Sequence, residues 1–168
     1  PVIGFLNGAW RQKEQCFIFG YNPNDILKDM LEKADEEGKL NKRDYKVSSA
    51  GLFAIEDDEA GSPAVKVLEE NYGIEDSDKH RAKQLDRDLL EESDLVIAMS
   101  DSHQQAIEDA FSDTVSKTYT LNELAYGAKG LDGNLDIDDP YRGDEDDYEE
   151  CASDIKKALE LAFDKIIE

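Results

Sequence analysis

The clearest pattern along the chain is the unbroken apolar run Leu95-Val96-Ile97-Ala98-Met99, which predicts a strand over Asp94 to Met99. A run with no polar alternation belongs to a strand covered on both faces, as in a parallel sheet. Three further strands are expected: Val2 to Leu6 ending in the turn signal Asn7-Gly8, Tyr45 to Leu52, and Lys117 to Leu121. The run Cys16-Phe17-Ile18-Phe19 fits a strand or a helix, since short apolar runs are ambiguous. Between the strands the apolar positions recur at helical spacing. Asn24 to Gly38 carries Ile26, Leu27, Met30, Leu31 and Ala34 on one face, and Ser62 to Tyr72 has Pro63 in its first turn. Further helices are expected over His80 to Leu90, over Ser102 to Phe111 with Ser102 as its cap, and as a short turn at Leu121 to Ala125. Tyr148 to Ile167 should close the chain as a long helix turning Cys151, Ile155, Ala158, Leu159, Ala162, Phe163 and Ile166 inward. Strands alternating with helices predict a doubly wound α/β fold, a four-stranded parallel sheet flanked by helices, with residues 1–168 forming one domain. Ligands of such folds sit at the carboxyl ends of the strands.

Composition narrows the partners. Although 36% of the residues are charged, the 39% apolar content with its clear pattern argues against disorder. The net charge of -22 makes nucleic acid and anionic membranes unfavourable partners, because both are repelled. Such acidity fits a salt-adapted protein or a basic partner. No stretch of eighteen apolar residues and no signal peptide are seen, so a cytoplasmic location is expected. The cysteines Cys16 and Cys151 form neither a CxxC pair nor a ligand cluster, which predicts neither a disulfide framework nor zinc.

The long segment Gly127 to Gly143, rich in glycine and aspartate, is unusual in a compact domain and points to function. Within it stands Asp136-Ile137-Asp138-Asp139-Pro140-Tyr141-Arg142-Gly143. A residue before proline is pushed out of the α region, so Asp139 should sit on a stiff loop with its carboxyl in a defined direction. That is how a general acid is presented to a substrate, although an acidic surface turn has the same composition. Asp132, Asn134, Asp136 and Asp138 have a cation-binding flavour but lack the glycine and terminal glutamate of an EF-hand, so no metal site is assigned.

The order of the pieces resembles the low-molecular-weight protein tyrosine phosphatases, nearest to the bacterial branch that includes protein-arginine phosphatases. Ser49-Ala50-Gly51, Ser62-Pro63, Tyr72-Gly73-Ile74 and His80-Arg81-Ala82-Lys83-Gln84-Leu85 come first. They are followed by Ser93 to Met99 with His103, Tyr119-Thr120-Leu121-Asn122-Glu123, Asp139-Pro140-Tyr141, Tyr148 and Cys151. The resemblance covers about three quarters of the chain, from Tyr45 onward. It implies the chemistry of that family: a thiolate attacks phosphorus, the amides and arginine of a loop after strand one hold the phosphate oxygens, and an aspartic acid protonates the leaving group. By resemblance, Asp139 matches the acid, Tyr141 the aromatic at the cleft mouth, and Ser49 and His80 the supports of the phosphate loop. Read by itself, without the resemblance, His80 fits a satisfied structural histidine better than a catalytic one.

The nucleophile is where the chain departs from the pattern. If Val2 to Phe5 is strand one, Phe5-Leu6-Asn7-Gly8-Ala9-Trp10-Arg11 overlays the phosphate loop. Arg11 then keeps the arginine position, Asn7 and Gly8 supply loop positions, and Phe5 stands in place of the cysteine. The helix from Asn24 to Gly38 would be largely an insertion. In the other register Cys16 to Phe19 is strand one and neither cysteine nor arginine is kept. A phenylalanine cannot attack phosphorus, and loss of a nucleophile from parts that act together costs orders of magnitude in rate. Asp132, Asp136, Asp138, Asp144, Glu145, Asp146 and Asp147 are also expected to oppose a phosphate dianion near Asp139, with Arg142 as the nearby cation. The expectation is a catalytically impaired binding or regulatory member of the family, with no cofactor and with a phosphoprotein or another protein as partner. The alternative is an active phosphotyrosine or phosphoarginine phosphatase, or an arsenate-reductase-like enzyme, with a displaced nucleophile.

Overall fold

The buried strand Leu95–Ala98 alternates its side chains between two apolar layers, and the rest of the molecule is arranged around that alternation. The computed structural model describes residues 2–7, 23–40 and 45–168. Among the described residues, four strands form one sheet in the order β2-β1-β3-β4: β1 (Val2–Asn7), β2 (Lys46–Gly51), β3 (Leu95–Ala98) and β4 (Thr118–Thr120). Every pairing is parallel. The helices are α1 (Pro23–Glu36), α2 (Ser62–Tyr72), α3 (Arg87–Glu92), α4 (Asp101–Ala110), α5 (Leu121–Tyr126) and α6 (Glu145–Ile167). Ile97 joins a cluster with Ile26, Leu27, Leu68, Leu121 and Leu159. Val96 and Ala98, one residue to either side, turn the other way, into a second cluster with Ala50, Leu90 and Ile107. This is the two-residue period of a strand, and burying a side chain such as Ile97 is worth about 1.5–3 kcal/mol over leaving it exposed. The doubly wound parallel fold expected from the sequence is therefore present.

Strand β1 is central, pairing with both β2 and β3. Its ladder runs through Asn7, so Phe5 lies opposite Ser49 and Ile97, and Asn7 opposite Gly51. Helix α1 is the crossover between β1 and β2, with Ile26, Leu27, Leu31 and Ala34 buried and packed toward α6. It was expected as an insertion. Its apolar stripe instead makes it part of the core.

Helix α2 runs over the expected residues, and its end is set by Gly73 at φ 66°, which lets the Gly73 and Ile74 N–H groups reach Glu69 O and Leu68 O. The expected helix over His80 to Leu90 is not formed as such. A 3-10 turn at Ser77–Lys79 leads into an extended stretch, and α3 starts only at Arg87, capped by Asp86. The backbone of that stretch is used for pairing: Gly51 N–H donates to Lys83 O at 2.8 Å, Leu85 N–H to Gly51 O at 2.8 Å, and Ala82 N–H to Asp58 O at 2.9 Å. Ala82 and Leu85, whose spacing looks helical, are buried in extended backbone. Hydrogen bonding to the end of β2 outweighs a weak local helix preference.

Two helix starts also differ from expectation. Helix α4 is capped by Ser100, whose Oγ accepts from His103 N–H at 3.3 Å, rather than by Ser102. Helix α6 starts at Glu145 with Asp144 as its cap; Asp144 accepts from Asp146 and Asp147 N–H, and Asp147 Oδ2 accepts from Asp144 N–H at 2.8 Å. Acids belong in this first turn because its free N–H groups and the helix dipole favour negative charge. Among the described residues no helix is long and apolar enough to cross a membrane.

Candidate active site

The carboxyl ends of the parallel strands carry the loop that presents Asp139. Ile137 N–H donates to Met99 O, just past β3, at 2.8 Å. Asp136 Oδ1 accepts from Asp101 N–H at the start of α4 at 2.7 Å, and Asn122 Nδ2, on α5, donates to Asp136 O at 2.8 Å. The loop is thus tied to three elements at once, immediately before Asp139. After Asp139 the chain turns sharply: Tyr141 N–H donates to Asp139 Oδ1 at 3.1 Å, and Gly143 N–H to Pro140 O at 2.8 Å. Arg142 occupies the left-handed region at φ 67°, a position that favours glycine, and its guanidinium lies 5.4 Å from the centre of the Tyr141 ring.

A cleft of about 420 Å³ opens between this turn and the first turns of α6. Asp138, Asp139 and Tyr141 line it from the loop, and Asp147, Cys151 and Asp154 from the helix. Asp139 itself is open to solvent, yet the protein around its carboxyl weakens its hydration enough to push its pKa up to about 6 against the bond from Tyr141 N–H. Tyr148 and Cys151 lie buried behind it. Burial, and then the negative charge of Asp139, pushes the Cys151 thiol up to about 12. Such a thiol stays protonated at neutral pH and is a poor nucleophile.

The acidic run around Asp139 is more ordered than its composition suggests. Asp136 faces the α4 N-terminus, Asp144 and Asp147 close the α6 cap, and Glu145 pairs with Lys66 at 2.7 Å. These acids were expected to act together against a bound phosphate. Several are instead held by amides or a lysine, while Asp138, Asp139, Asp147, Glu150 and Asp154 line the cleft and make up its local negative charge, with Arg142 beside them.

The structure also brings Ser49 and His80 together, although 31 positions separate them in the chain: Ser49 Oγ lies 3.5 Å from His80 Nε2. Ser49 is buried at the end of β2, and burial lowers the His80 pKa, with Asp25 and Lys28 of α1 among the charges it senses. His80 is therefore neutral near pH 7, able to donate from one ring nitrogen and accept at the other. Of the residues assigned to the phosphate loop, Phe5 and Asn7 lie within β1 rather than in a loop after it. Gly8 and Arg11, as well as Cys16, lie outside the described residues. Among the described residues no group of three or more His, Cys, Asp or Glu is arranged to hold a metal ion. Asn122 and Tyr148 were not given roles by sequence reasoning. A signal existed for Asn122, a polar residue set between Leu121 and Leu124 in an apolar stretch; in the fold it is 4% exposed and its amide donates to Asp136 O.

Comparison with known proteins agrees with this arrangement. The profile of the family described as "Low molecular weight phosphotyrosine protein phosphatase" matches residues 27–167, which includes most of α1. The chain is 32% identical over 120 residues to a protein-arginine-phosphatase of Geobacillus stearothermophilus, covering 71% of this chain and 76% of that one. It is 29% identical over 120 residues, with the same coverage, to a probable low molecular weight protein-tyrosine-phosphatase, EpsP, of Ralstonia solanacearum. Among solved structures it superposes on a YwlE mutant from Bacillus subtilis with a TM-score of 0.77 and 27% identity, covering 99% of this chain and 98% of the other. The low molecular weight protein tyrosine phosphatase from T. tengcongensis gives a TM-score of 0.75 at 28% identity, over 98% of each chain. With a parallel sheet of the same architecture, an Asp-Pro-Tyr turn at its carboxyl end and a matching profile over most of its length, the chain belongs to the low-molecular-weight phosphotyrosine protein phosphatase family.

Proposed function

We propose that this chain is a phosphoprotein-binding member of its family whose turnover is impaired. One observation carries the proposal: no cysteine in the chain is followed by an arginine at the sixth position. Asn22 stands there after Cys16, and Lys157 after Cys151. Phosphoryl transfer in this family needs a thiolate to accept the phosphoryl group and a guanidinium to hold its oxygens. The other half of the chemistry is retained. Asp139, with its pKa near 6, holds a proton at mildly acidic pH and can donate it to the leaving atom of a phosphorylated side chain. The 3.5 Å approach of Ser49 Oγ to His80 Nε2 supports reading this pair as the one that steadies a phosphate loop in the family. By the resemblance alone, Arg11 is the candidate for an anion-holding group and Gly8 for a loop position, and Tyr141 is the candidate wall of the cleft. A site with an acid and no attacking group binds a phosphorylated residue without cleaving it.

The test is an assay with para-nitrophenyl phosphate and with phosphotyrosyl and phosphoarginyl peptides, alongside peptide binding by calorimetry. Binding with turnover orders of magnitude below that of active relatives is expected. Turnover at ordinary family rates, abolished by Asp139→Asn, overturns the proposal.

A second reading, an active phosphotyrosine or phosphoarginine phosphatase or an arsenate-reductase-like enzyme, draws support from Asp139. A carboxyl raised to about 6 is tuned for proton transfer, a property of no use to a purely structural turn. In its thiol-dependent form that reading makes Cys16 the nucleophile; otherwise it needs a nucleophile other than a cysteine. The thiol-dependent form predicts rapid Cys16 alkylation and loss of activity in Cys16→Ser.

A further inference from the structure

The loop bearing Asp139 is held by a set of bonds that converge on a residue three positions earlier. Asp136 uses its side chain and both of its backbone polar groups. Its Oδ1 accepts from Asp101 N–H at 2.7 Å, its N–H donates to Asn134 Oδ1 at 3.0 Å, and its O accepts from Asn122 Nδ2 at 2.8 Å. The next residue, Ile137, donates its N–H to Met99 O at 2.8 Å. Asp136 thus ties the acid loop to the first turn of α4 and to the buried Asn122 of α5, while its neighbour Ile137 ties it to the carboxyl end of β3. A carboxylate at a helix N-terminus makes one of the stronger bonds of this kind, because its acceptor is charged and the helix dipole adds to it.

We infer that Asp136 is a positioning residue for Asp139, a clamp that fixes the acid loop over the cleft by accepting the Asp101 N–H at the start of α4. The inference deepens the functional reading above and rests on it for the role of Asp139. The clamp acts through geometry: the influences on the Asp139 carboxyl are burial and the Tyr141 N–H, and the charge of Asp136 is not among them. Among the described residues, the groups that face Asp139 are Tyr141 of its own loop and Tyr148 and Cys151 of α6, and the charged groups that share its cleft are Asp138, Arg142, Asp147, Glu150 and Asp154. Burial raises both Tyr148 and Cys151, so neither titrates where Asp139 does. The Asp139 titration therefore reports how deeply the loop holds its carboxyl against the protein.

Carbon-13 NMR titration of aspartate-labelled protein, with the Asp139 signal assigned from Asp139→Asn, tests the clamp without requiring turnover. The wild-type midpoint is expected near 6. In Asp136→Ala it should fall by about one unit or more toward the ordinary aspartate value of about 4 as the loop lifts and its carboxyl hydrates. In Asp136→Asn, whose amide oxygen still accepts from Asp101 N–H, it should stay within a few tenths of wild type. An unchanged midpoint in Asp136→Ala overturns the inference, and so does an equal fall in Asp136→Asn, which would make the charge rather than the acceptor the cause. If Asp136→Ala does not fold, Asn134→Ala on the exposed side removes the acceptor for the Asp136 N–H. A lowered midpoint there supports the clamp and an unchanged one overturns it. Failure of the functional reading looks different: a clamp-dependent Asp139 in a protein that binds no phosphopeptide, or that turns phosphopeptides over at ordinary family rates.

Discussion

Asp139 and Cys151 share a cleft, and burial acts on them in opposite functional directions. For the carboxyl it moves the titration to where proton donation is useful; for the thiol it removes the thiolate. The raised Asp139 value has a sign for stability. Because the folded state binds this proton more tightly than the unfolded chain, the contribution is present below about pH 4 and is lost as the pH rises through about 6. Asp139→Asn removes the cost of holding a half-hydrated carboxylate at neutral pH. It is expected to raise Tm at pH 7.5 relative to wild type and to lose that advantage at pH 4.5. A calorimetric Tm difference that is equal at both pH values would show that burial is not what shifts this group.

At the scale of elements, the acid loop is held at both ends, by the Asp136 contacts before Asp139 and by the α6 cap after Gly143. The cap is a sequence-local device. Asp144 and Asp147 satisfy each other's amides across one turn, and a Cβ on Gly143 would collide with the Asp147 carboxylate. Asp144→Ala should cost about 1 kcal/mol, the usual value of a cap, which for a chain of this size lowers Tm by about 2–4 °C. Thermal unfolding followed by circular dichroism checks this, and an unchanged Tm would mean that the cap contributes nothing. The contrast with His80 to Leu90 is instructive. There the local apolar spacing points to a helix, while pairing of Lys83 and Leu85 with Gly51 places an extended chain.

At the scale of the whole molecule, a net charge of -22 on 168 residues opposes compaction through self-repulsion. Many surface pairs among the described residues join neighbours on one helix, such as Lys33 with Asp29 at 2.6 Å, and exposed pairs of this kind are worth at most about 1 kcal/mol. The two apolar layers around β3 must therefore carry the fold against the repulsion. Raising sodium chloride from 0.1 M to 1 M shortens the Debye length from about 10 Å to about 3 Å, and Tm should rise with it. A Tm that falls or stays level would show that self-repulsion is not a significant burden.

The sequence by itself determined what depends on period and on local sterics. The unbroken run at β3, the stripe of α6 and the stiff Asp139-Pro140 dipeptide need only the chain's own neighbours to declare themselves. It also carried the order of motifs by which the family was recognised. The tertiary structure alone decided which backbone groups pair across long separations, because a hydrogen bond from Asp101 to Asp136 or from Leu85 to Gly51 leaves no periodic trace in either partner. It likewise decided how much water reaches Asp139 and Cys151. Desolvation depends on everything packed around a group, and so the raised Asp139 carboxyl, the property that most suits it to proton transfer, exists only in the folded chain.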